Sequence, residues 1–470
     1  SNGGAVQTAV FGSFEGRTMA PDLLVVQEIL SQSAVDALVG FLNSAPSSPG
    51  DYVAGPFTNG RDTDNGMFYR SSKLVFLGTT ILPADPGTSG APRDVNRYDL
   101  QLVGYDAPAS VIAIYSWHMK ASSSSASQAR RLIEAQKIRT DAEGLNPEWN
   151  FILGADFNIQ SSNQAAYQHL INSQANNNGR FADAINTPGS WNNNFSFRFV
   201  HTQDPSGAGG MDDRLDQILF DLDLGAGEGL DYKGAFGLPY STTTWNDLNH
   251  SYRSWGNDGS TFNVSLATTT NAMVGPTIAN ALKALASGGG HLPVIADLVV
   301  PGVIGADGSI NLGTIPIGVS VNVPFNVGND GDTVLWSADG INSITYTLDT
   351  DVGFGVDAGS FNDDAGGAMN IHTLNVSAGL VAGPIVGEIR VNSNDIDTPE
   401  LIIPITGQYG GCSAADLAEP FGTLNLQDVF AYLALFNDSN ISADLAEPFG
   451  VLNLQDVFAY LATFNAGCPE

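Results

Sequence analysis

Phe151-Ile-Leu-Gly-Ala-Asp-Phe-Asn158 decides how the first part of this chain folds. An apolar run that ends on Asp156 and Asn158 is how a buried strand delivers polar side chains to the rim of a sheet. Asp22 to Glu28 (DLLVVQE) and Val111 to Ser116 (VIAIYS) read as buried strands of the same kind. Between the second and third of these strands, Ser125 to Glu143 carries apolar residues at helical spacing, with Arg130, Arg131 and Lys137 expected to face water. Buried strands alternating with helices predict an α/β layered core over residues 1–297.

Working outward, the chain of 470 residues is too long for one core, and about three domains are expected. Hydrophobic residues make up 43% and charged ones 14%, a globular composition, and 53 glycines imply many turns and short strands. No apolar run is long enough for a membrane span. The start, Ser1-Asn-Gly-Gly-Ala5, has neither a basic nor an apolar leader segment, so any signal peptide is expected to have been removed. The net charge of −31 is uneven: residues 1–296 hold 17 basic and 27 acidic residues, and residues 297–470 hold 22 acidic residues against Arg390 alone. That balance excludes a broad basic nucleic-acid surface. It suits a salty or calcium-containing medium, and equally it serves solubility.

Near residue 298 the pattern changes to short alternating runs such as Ile371 to Val376 and Gly387 to Val391, separated by Gly, Asn and Asp clusters. This predicts a β-sandwich over residues 298–410. Phe325-Asn-Val-Gly-Asn-Asp-Gly-Asp332 and the ending Ile403-Pro-Ile-Thr-Gly407 resemble the immunoglobulin-like modules appended to many bacterial surface proteins. The resemblance implies a spacer or adhesive unit, and His372 is expected to be packing.

Residues 411–470 hold an internal repeat. Ala415-Asp-Leu-Ala-Glu-Pro-Phe-Gly422 recurs as Ala443 to Gly450, and Leu424 to Ala434 recurs as Leu452 to Ala462. Each unit reads as a polar loop and an amphipathic helix, with Leu426, Val429, Phe430 and Leu433 on one face. Cys412 and Cys468 bracket the pair and predict a clasp disulfide in an oxidising, extracellular setting, provided the geometry allows it. The layout resembles a dockerin, a small all-α pair of calcium-loop helices that docks a protein partner. Under that resemblance Asp416, Glu419, Asn425 and Asp428, and in the second repeat Asp444, Glu447, Asn453 and Asp456, are the candidate Ca²⁺ ligands. Leu417, Ala418 and Pro420 stand where a standard loop often has polar ligands, so a metal-free hairpin with Asn and Asp caps is the competing expectation.

In residues 1–297 several short motifs fall in order: Val26-Gln-Glu28, Tyr69-Arg70, Arg97, Trp117-His-Met-Lys120, Gly154-Ala-Asp-Phe-Asn158, Arg214-Leu-Asp-Gln217 and Gly290-His-Leu-Pro-Val294. The ordered set resembles the endonuclease/exonuclease/phosphatase (DNase-like) family, which implies an α/β four-layer sandwich and metal-dependent phosphodiester hydrolysis. Such chemistry needs a metal to neutralise phosphate, a base for water and donors for the developing charge. The resemblance implies that Glu28 and Asp156 hold Mg²⁺ or Mn²⁺, with Asp156 also orienting or deprotonating the water. It implies that His118 donates to phosphate, that Asn158 donates to phosphate or aligns the water, that Asp216 orients His118 or joins the second metal shell, and that His291 is an acid/base or phosphate ligand. Tyr69 and Arg97 would contact substrate phosphate. His169, His201 and His250 match no motif and are expected to be structural.

The chain departs from the family twice. Gly290 stands where the family has an Asp that aligns the His, and the family's opening strand with its metal-proximal Asn has no counterpart beyond Asn2. Two functions are therefore expected in competition. One is a secreted metal-dependent phosphodiesterase or nuclease with a docking tail. The other is a degraded DNase-like fold reused as a structural subunit of an extracellular filament or scaffold, its partner a neighbouring copy of itself.

Overall fold

The computed structural model describes residues 2–207, 209–227, 229–316, 318–379 and 383–468. They fall into two compact units, Ser1–Val300 and Pro301–Glu470.

The first unit opens with α1 (Gly3–Phe11), β1 (Leu23–Ile29), α2 (Gln32–Ser44), β2 (Tyr52–Ala54) and β3 (Asp64–Arg70). Next come β4 (Leu74–Leu82), β5 (Val95–Leu102), β6 (Val111–His118), α3 (Ser125–Ala142), β7 (Asn150–Asp156), α4 (Ala165–Ile171), β8 (Phe181–Ala182) and β9 (Asp216–Asp221). It closes with β10 (Asp231–Tyr232), β11 (Arg253–Ser254), α5 (Gly275–Leu285), β12 (Val294–Ile295) and β13 (Leu298–Val299). Six strands form one sheet in the order β4-β5-β6-β7-β9-β8, and three form another in the order β1-β3-β2.

β6 and β7 are parallel and buried at every position, as their unbroken apolar runs predict. Tyr115, Trp117, Phe151, Leu153 and Leu219 turn one face of the large sheet toward α3 and α4, which supply Ala135, Ile138, Tyr167 and Leu170. The alternate residues face the β1 layer. α3 starts on a Ser124 cap and runs where the spacing predicts. Arg131, however, is not on its wet face. It is fully buried, donating to the carbonyls of Lys120 (2.5 Å) and Ser122 (2.9 Å) and to Gln164 Oε1, so it ties α3 to the chain leaving β6.

The second unit is strand-rich. β14 (Ile304–Ala306), β15 (Ile310–Pro316), β16 (Val321–Asn329), α6 (Thr333–Trp336), β17 (Ile344–Thr350), β18 (Phe354–Gly355), β19 (Ser360–Asp363), β20 (Asn370–Val376), β21 (Gly383–Ser393) and β22 (Glu400–Gly410) build two sheets. Their orders are β14-β16-β20-β18 and β15-β22-β21-β17-β19, around a core of Phe325, Val327, Ile344, Leu374, Ile389 and Ile403. His372 is packing as expected, buried against Phe361 with Tyr346 Oη 2.7 Å from its Nε2.

Beyond the sandwich, α7 (Leu426–Asn437) and α8 (Leu454–Ala466) carry the two repeats, and Cys412 and Cys468 are disulfide-bonded. Tyr432 and Tyr460 stack at 4.0 Å, and each hydroxyl donates to the other repeat's loop, at Ala443 O and Ala415 O. The inward stripe is Val429, Tyr432 and Phe436. Leu426, Phe430 and Leu433, expected to face inward, are 70%, 61% and 48% exposed, because the stacked tyrosines set the rotation of both helices.

Asp428 and Asp456 are held by the chain itself, while Oδ1 of Asp416 and of Asp444 is buried without a hydrogen-bond partner among the described residues. Asp428 accepts backbone N–H groups of Leu417, Ala418 and Asn425 at 2.7–2.8 Å, and Asp456 accepts those of Leu445, Ala446 and Asn453 at 2.7–2.9 Å. Burial works against the Asp456 carboxylate, but those three amides hold its pKa below the usual range. Asn425 and Asn453 cap α7 and α8, and Glu419 is exposed. The arrangement of Asn and Asp as caps is thus realised. Among the described residues the repeat acids form no group of three converging oxygen ligands.

Candidate active site

Three strand ends place three side chains in one row. His118 pairs with Asp156 across β6 and β7, and Asp156 pairs with Asp216 across β7 and β9. Because Trp117, Ala155 and Leu219 face the α3 side, the row faces the β1 layer. His118 Nε2 lies 3.4 Å from Asp156 Oδ2.

Two further groups close on the row. Glu28, next to last in β1, sits in a bulge with φ +65°, and its Oε1 lies 3.7 Å from His118 Nδ1. That left-handed residue breaks the strand's alternation and sends the carboxylate to the site. His291 arrives from the glycine-rich turn after α5, where Gly288 and Gly289 have φ +96° and +103°. Its Nδ1 is 2.9 Å from Asp216 Oδ2. Asp216 therefore partners His291 and not His118, and it supplies a carboxylate to the histidine that follows Gly290. The gap expected at Gly290 is filled from β9.

Asn158 is anchored on the same row. Held at φ +49°, it donates its backbone N–H (3.0 Å) and side-chain amide (2.9 Å) to Asp156, and the same amide donates to Met119 O (3.2 Å). Its donors orient Asp156.

The site is buried and crowded with like charge. Asp156 is 8% exposed, and burial, then repulsion from Asp216, pushes its pKa up. Burial disfavours the charged form of His291, but Asp216, Asp156 and Asp204 outweigh it and lift the pKa to about 10. His118 is pushed down to about 4 by burial, with Arg93 and His291 adding to the effect. Ligand atoms of Asp156, Asp216 and His291 lie within 4.8 Å of one another. Buried Asp156 and half-buried Asp216, two carboxylates that repel each other, suit a divalent cation that accepts oxygen. Glu28, 68% exposed, stands outside that group, at His118.

Tyr69 and Arg97 are elsewhere. Tyr69 is buried and stacked on Phe76 at 6.2 Å. Arg97 is clamped by Asp99 (2.8 and 3.1 Å) and by Asp141 of α3 (2.7 Å), on the face of the sheet turned away from the row. Arg97 is delivered to the opposite layer by strand parity, whereas Tyr69 lies opposite Leu23, at the end of β3 far from Glu28.

The cation that does border the row is Arg93, which precedes β5. It donates to the carbonyls of His118 (3.5 Å) and Met119 (3.4 Å) and to Thr63, and it pairs with Asp62 at 3.0 Å. No motif marked it. Behind the row, fully buried Arg214 forks onto Asp183 at 2.8 and 3.0 Å and fixes the start of β9. His201 and His250 are buried in packing roles, and His169 borders the Arg139 carbonyl cage.

No protein-family model and no curated protein matches the chain. Solved structures do. The human nocturnin catalytic domain matches at 14% identity over 46% of this chain and 73% of that one, with a TM-score of 0.30. An endonuclease/exonuclease/phosphatase family protein from Bacteroides thetaiotaomicron matches at 14% over 53% and 78%, with a TM-score of 0.33. An endonuclease/exonuclease/phosphatase from Beutenbergia cavernae matches at 13% over 86% and 92%, with a TM-score of 0.32. Likenesses this distant do not bear on chemistry, which is read from the side chains of the row.

Proposed function

We propose that the first unit is a metal-dependent phosphodiesterase or nuclease of the endonuclease/exonuclease/phosphatase kind. The observation that carries the proposal is the row His118–Asp156–Asp216, closed by His291 on Asp216 at 2.9 Å. Asp156 and Asp216 would hold Mg²⁺ or Mn²⁺, which when bound neutralises phosphate charge and lowers the pKa of water. Asn158 fixes the orientation of Asp156. Asp216 engages Nδ1 of His291 and leaves its Nε2 as the ring atom for a phosphate oxygen or leaving group. His118, neutral and between Glu28 and Asp156, is placed to donate to phosphate.

The unit belongs, in this reading, to a secreted protein whose disulfide-clasped tail docks a protein partner, with Ca²⁺ as an optional ligand of the repeats. The structure-only alternative, a subunit of a filament, draws its support from the unpaired edge of β1.

Hydrolysis of bis-p-nitrophenyl phosphate and plasmid DNA with Mg²⁺, Mn²⁺ or Ca²⁺ decides between them. Metal-dependent turnover lost in both Asp156→Ala and His291→Ala is the expected result. Turnover no higher than in those variants would overturn the enzymatic reading.

A further inference from the structure

Outside the row, two carboxylates of the first unit converge on a glycine. Asp64 opens β3, and Asp94 directly precedes β5. Gly60 donates its N–H to Asp64 Oδ1 at 2.8 Å. A Cβ added at Gly60 would lie 2.8 Å from that oxygen and 2.7 Å from Asp94 Oδ2. The two oxygens, reached from one point, stand no farther apart than the sum of those distances, 5.5 Å. Only a residue without a side chain leaves the space beside both of them clear.

Asp64 is short of donors. It is 6% exposed, and its Oδ2 is buried with no hydrogen-bond partner among the described residues. A buried carboxylate oxygen left bare is costly and calls for a ligand or a proton. Burial pushes the pKa of Asp64 up against the Gly60 N–H, and the charges of Asp94 and Asp62 push the same way. The arginines beside these acids in the chain are engaged elsewhere. Arg61 donates to Asp85 O at 3.0 Å, and Arg93 pairs with Asp62 and bonds to Thr63 and to the carbonyls of His118 and Met119. The nearest amide, Asn65, donates to Asp94 O (3.1 Å) and Asn96 Oδ1 (3.4 Å), and so to neither carboxylate.

We infer that a hard divalent cation of the Ca²⁺ kind binds between Asp64 and Asp94, in the space that Gly60 leaves clear. Two oxygens held by one Ca²⁺ at about 2.3–2.6 Å lie at most about 5 Å apart, a separation open to this pair. Among the described residues no third carboxylate, histidine or cysteine converges with them, so water and main-chain oxygens complete the shell. Ca²⁺ accepts such a mixed, irregular shell more readily than Mg²⁺, which demands a near-ideal octahedron. The site shares no residue with Asp156 and Asp216, and it does not rest on the phosphodiesterase reading. Its cation ties the 60–64 segment to the start of β5. Asp62, Thr63 and Arg93 are chain neighbours of the two ligands, so the same tie steadies Arg93 against the His118 carbonyl.

The test is hydrogen–deuterium exchange of the full chain with and without millimolar CaCl₂, read at the amides of residues 60–65 and 94–96. The readout is local, so ions bound elsewhere in the chain do not enter it. Ca²⁺ should slow these amides at least ~10-fold in the parent, and equally in Asp216→Asn, where the row's own cation site is removed. Two variants should each abolish the slowing while circular dichroism and the exchange of β6 and β7 stay as in the parent. Asp64→Asn keeps the shape and removes the charge, and Gly60→Ala keeps both charges and fills the space. Slowing absent from the parent, which would mean that the pair holds a proton instead, or undiminished in either variant, would overturn the inference.

Discussion

Asp156 of the first unit and Asp428 of the second are both buried aspartates, and they are treated in opposite ways. Asp428 accepts three backbone N–H groups within 2.8 Å, and its repeat mate Asp456 accepts three from its own loop within 2.9 Å. Asp156 receives its donors from Asn158 and faces a second carboxylate, Asp216, with His118 and His291 beside it. Asp428 is satisfied by the loop it holds. A carboxylate left facing another carboxylate costs stability, and that cost marks a place where a ligand is meant to enter.

The sharpest way to break this contrast is activity. Asp156→Asn should lower metal-dependent phosphodiester hydrolysis by at least about 10³-fold, with circular dichroism and melting unchanged. Asp428→Asn should leave turnover untouched.

Glu134 tests the intermediate case, a buried carboxylate with one amide donor, Lys120 N–H at 3.2 Å. Burial pushes its pKa up to about 7 from 4.5, against that amide and the charges of Arg93 and Arg130. The folded state thus holds the proton between about pH 4.5 and 7 while the unfolded chain releases it, so this group's contribution to stability falls as pH rises through that window. Glu134→Gln should stabilise the unit relative to the parent at pH 8, by up to about 3 kcal/mol, and make no difference at pH 4. Denaturant melts at the two pH values check it.

On stability alone the two aspartates should trade places. Asp428→Ala orphans three amides and should cost about 2 kcal/mol in the tail, read by denaturant melts monitored at the tail tyrosines. Asp156→Ala removes one of two repelling charges and should leave the first unit as stable or slightly more so. Least is expected of Tyr69→Phe, which should change neither kcat/KM nor stability by more than about 0.5 kcal/mol, since Tyr69 stacks on Phe76 away from the row.

Much of this was legible in the sequence because apolar runs and their polar ends obey strand parity. The runs at Val111 and Phe151 fixed which strands are central, and the order of Glu28, His118, Asp156, Asp216 and His291 picked out the residues that converge. The partnerships were not legible. That Asp216 serves His291 depends on β9 lying beside β7 with the α5 turn above it, a contact between positions 75 residues apart in the chain. Arg93 was invisible because its role rests on two backbone carbonyls, which leave no residue signature. In the repeats, the outward turn of Phe430 and Leu433 comes from the Tyr432–Tyr460 stack, a pairing between helices that the periodicity of one helix cannot show.

The most direct test of the contrast is Mn²⁺ binding to the full chain, monitored by electron paramagnetic resonance. The expected result is a site that Asp216→Asn abolishes and that Asp428→Asn and Asp456→Asn leave intact. Binding that survives Asp216→Asn and disappears with the two tail variants would contradict it.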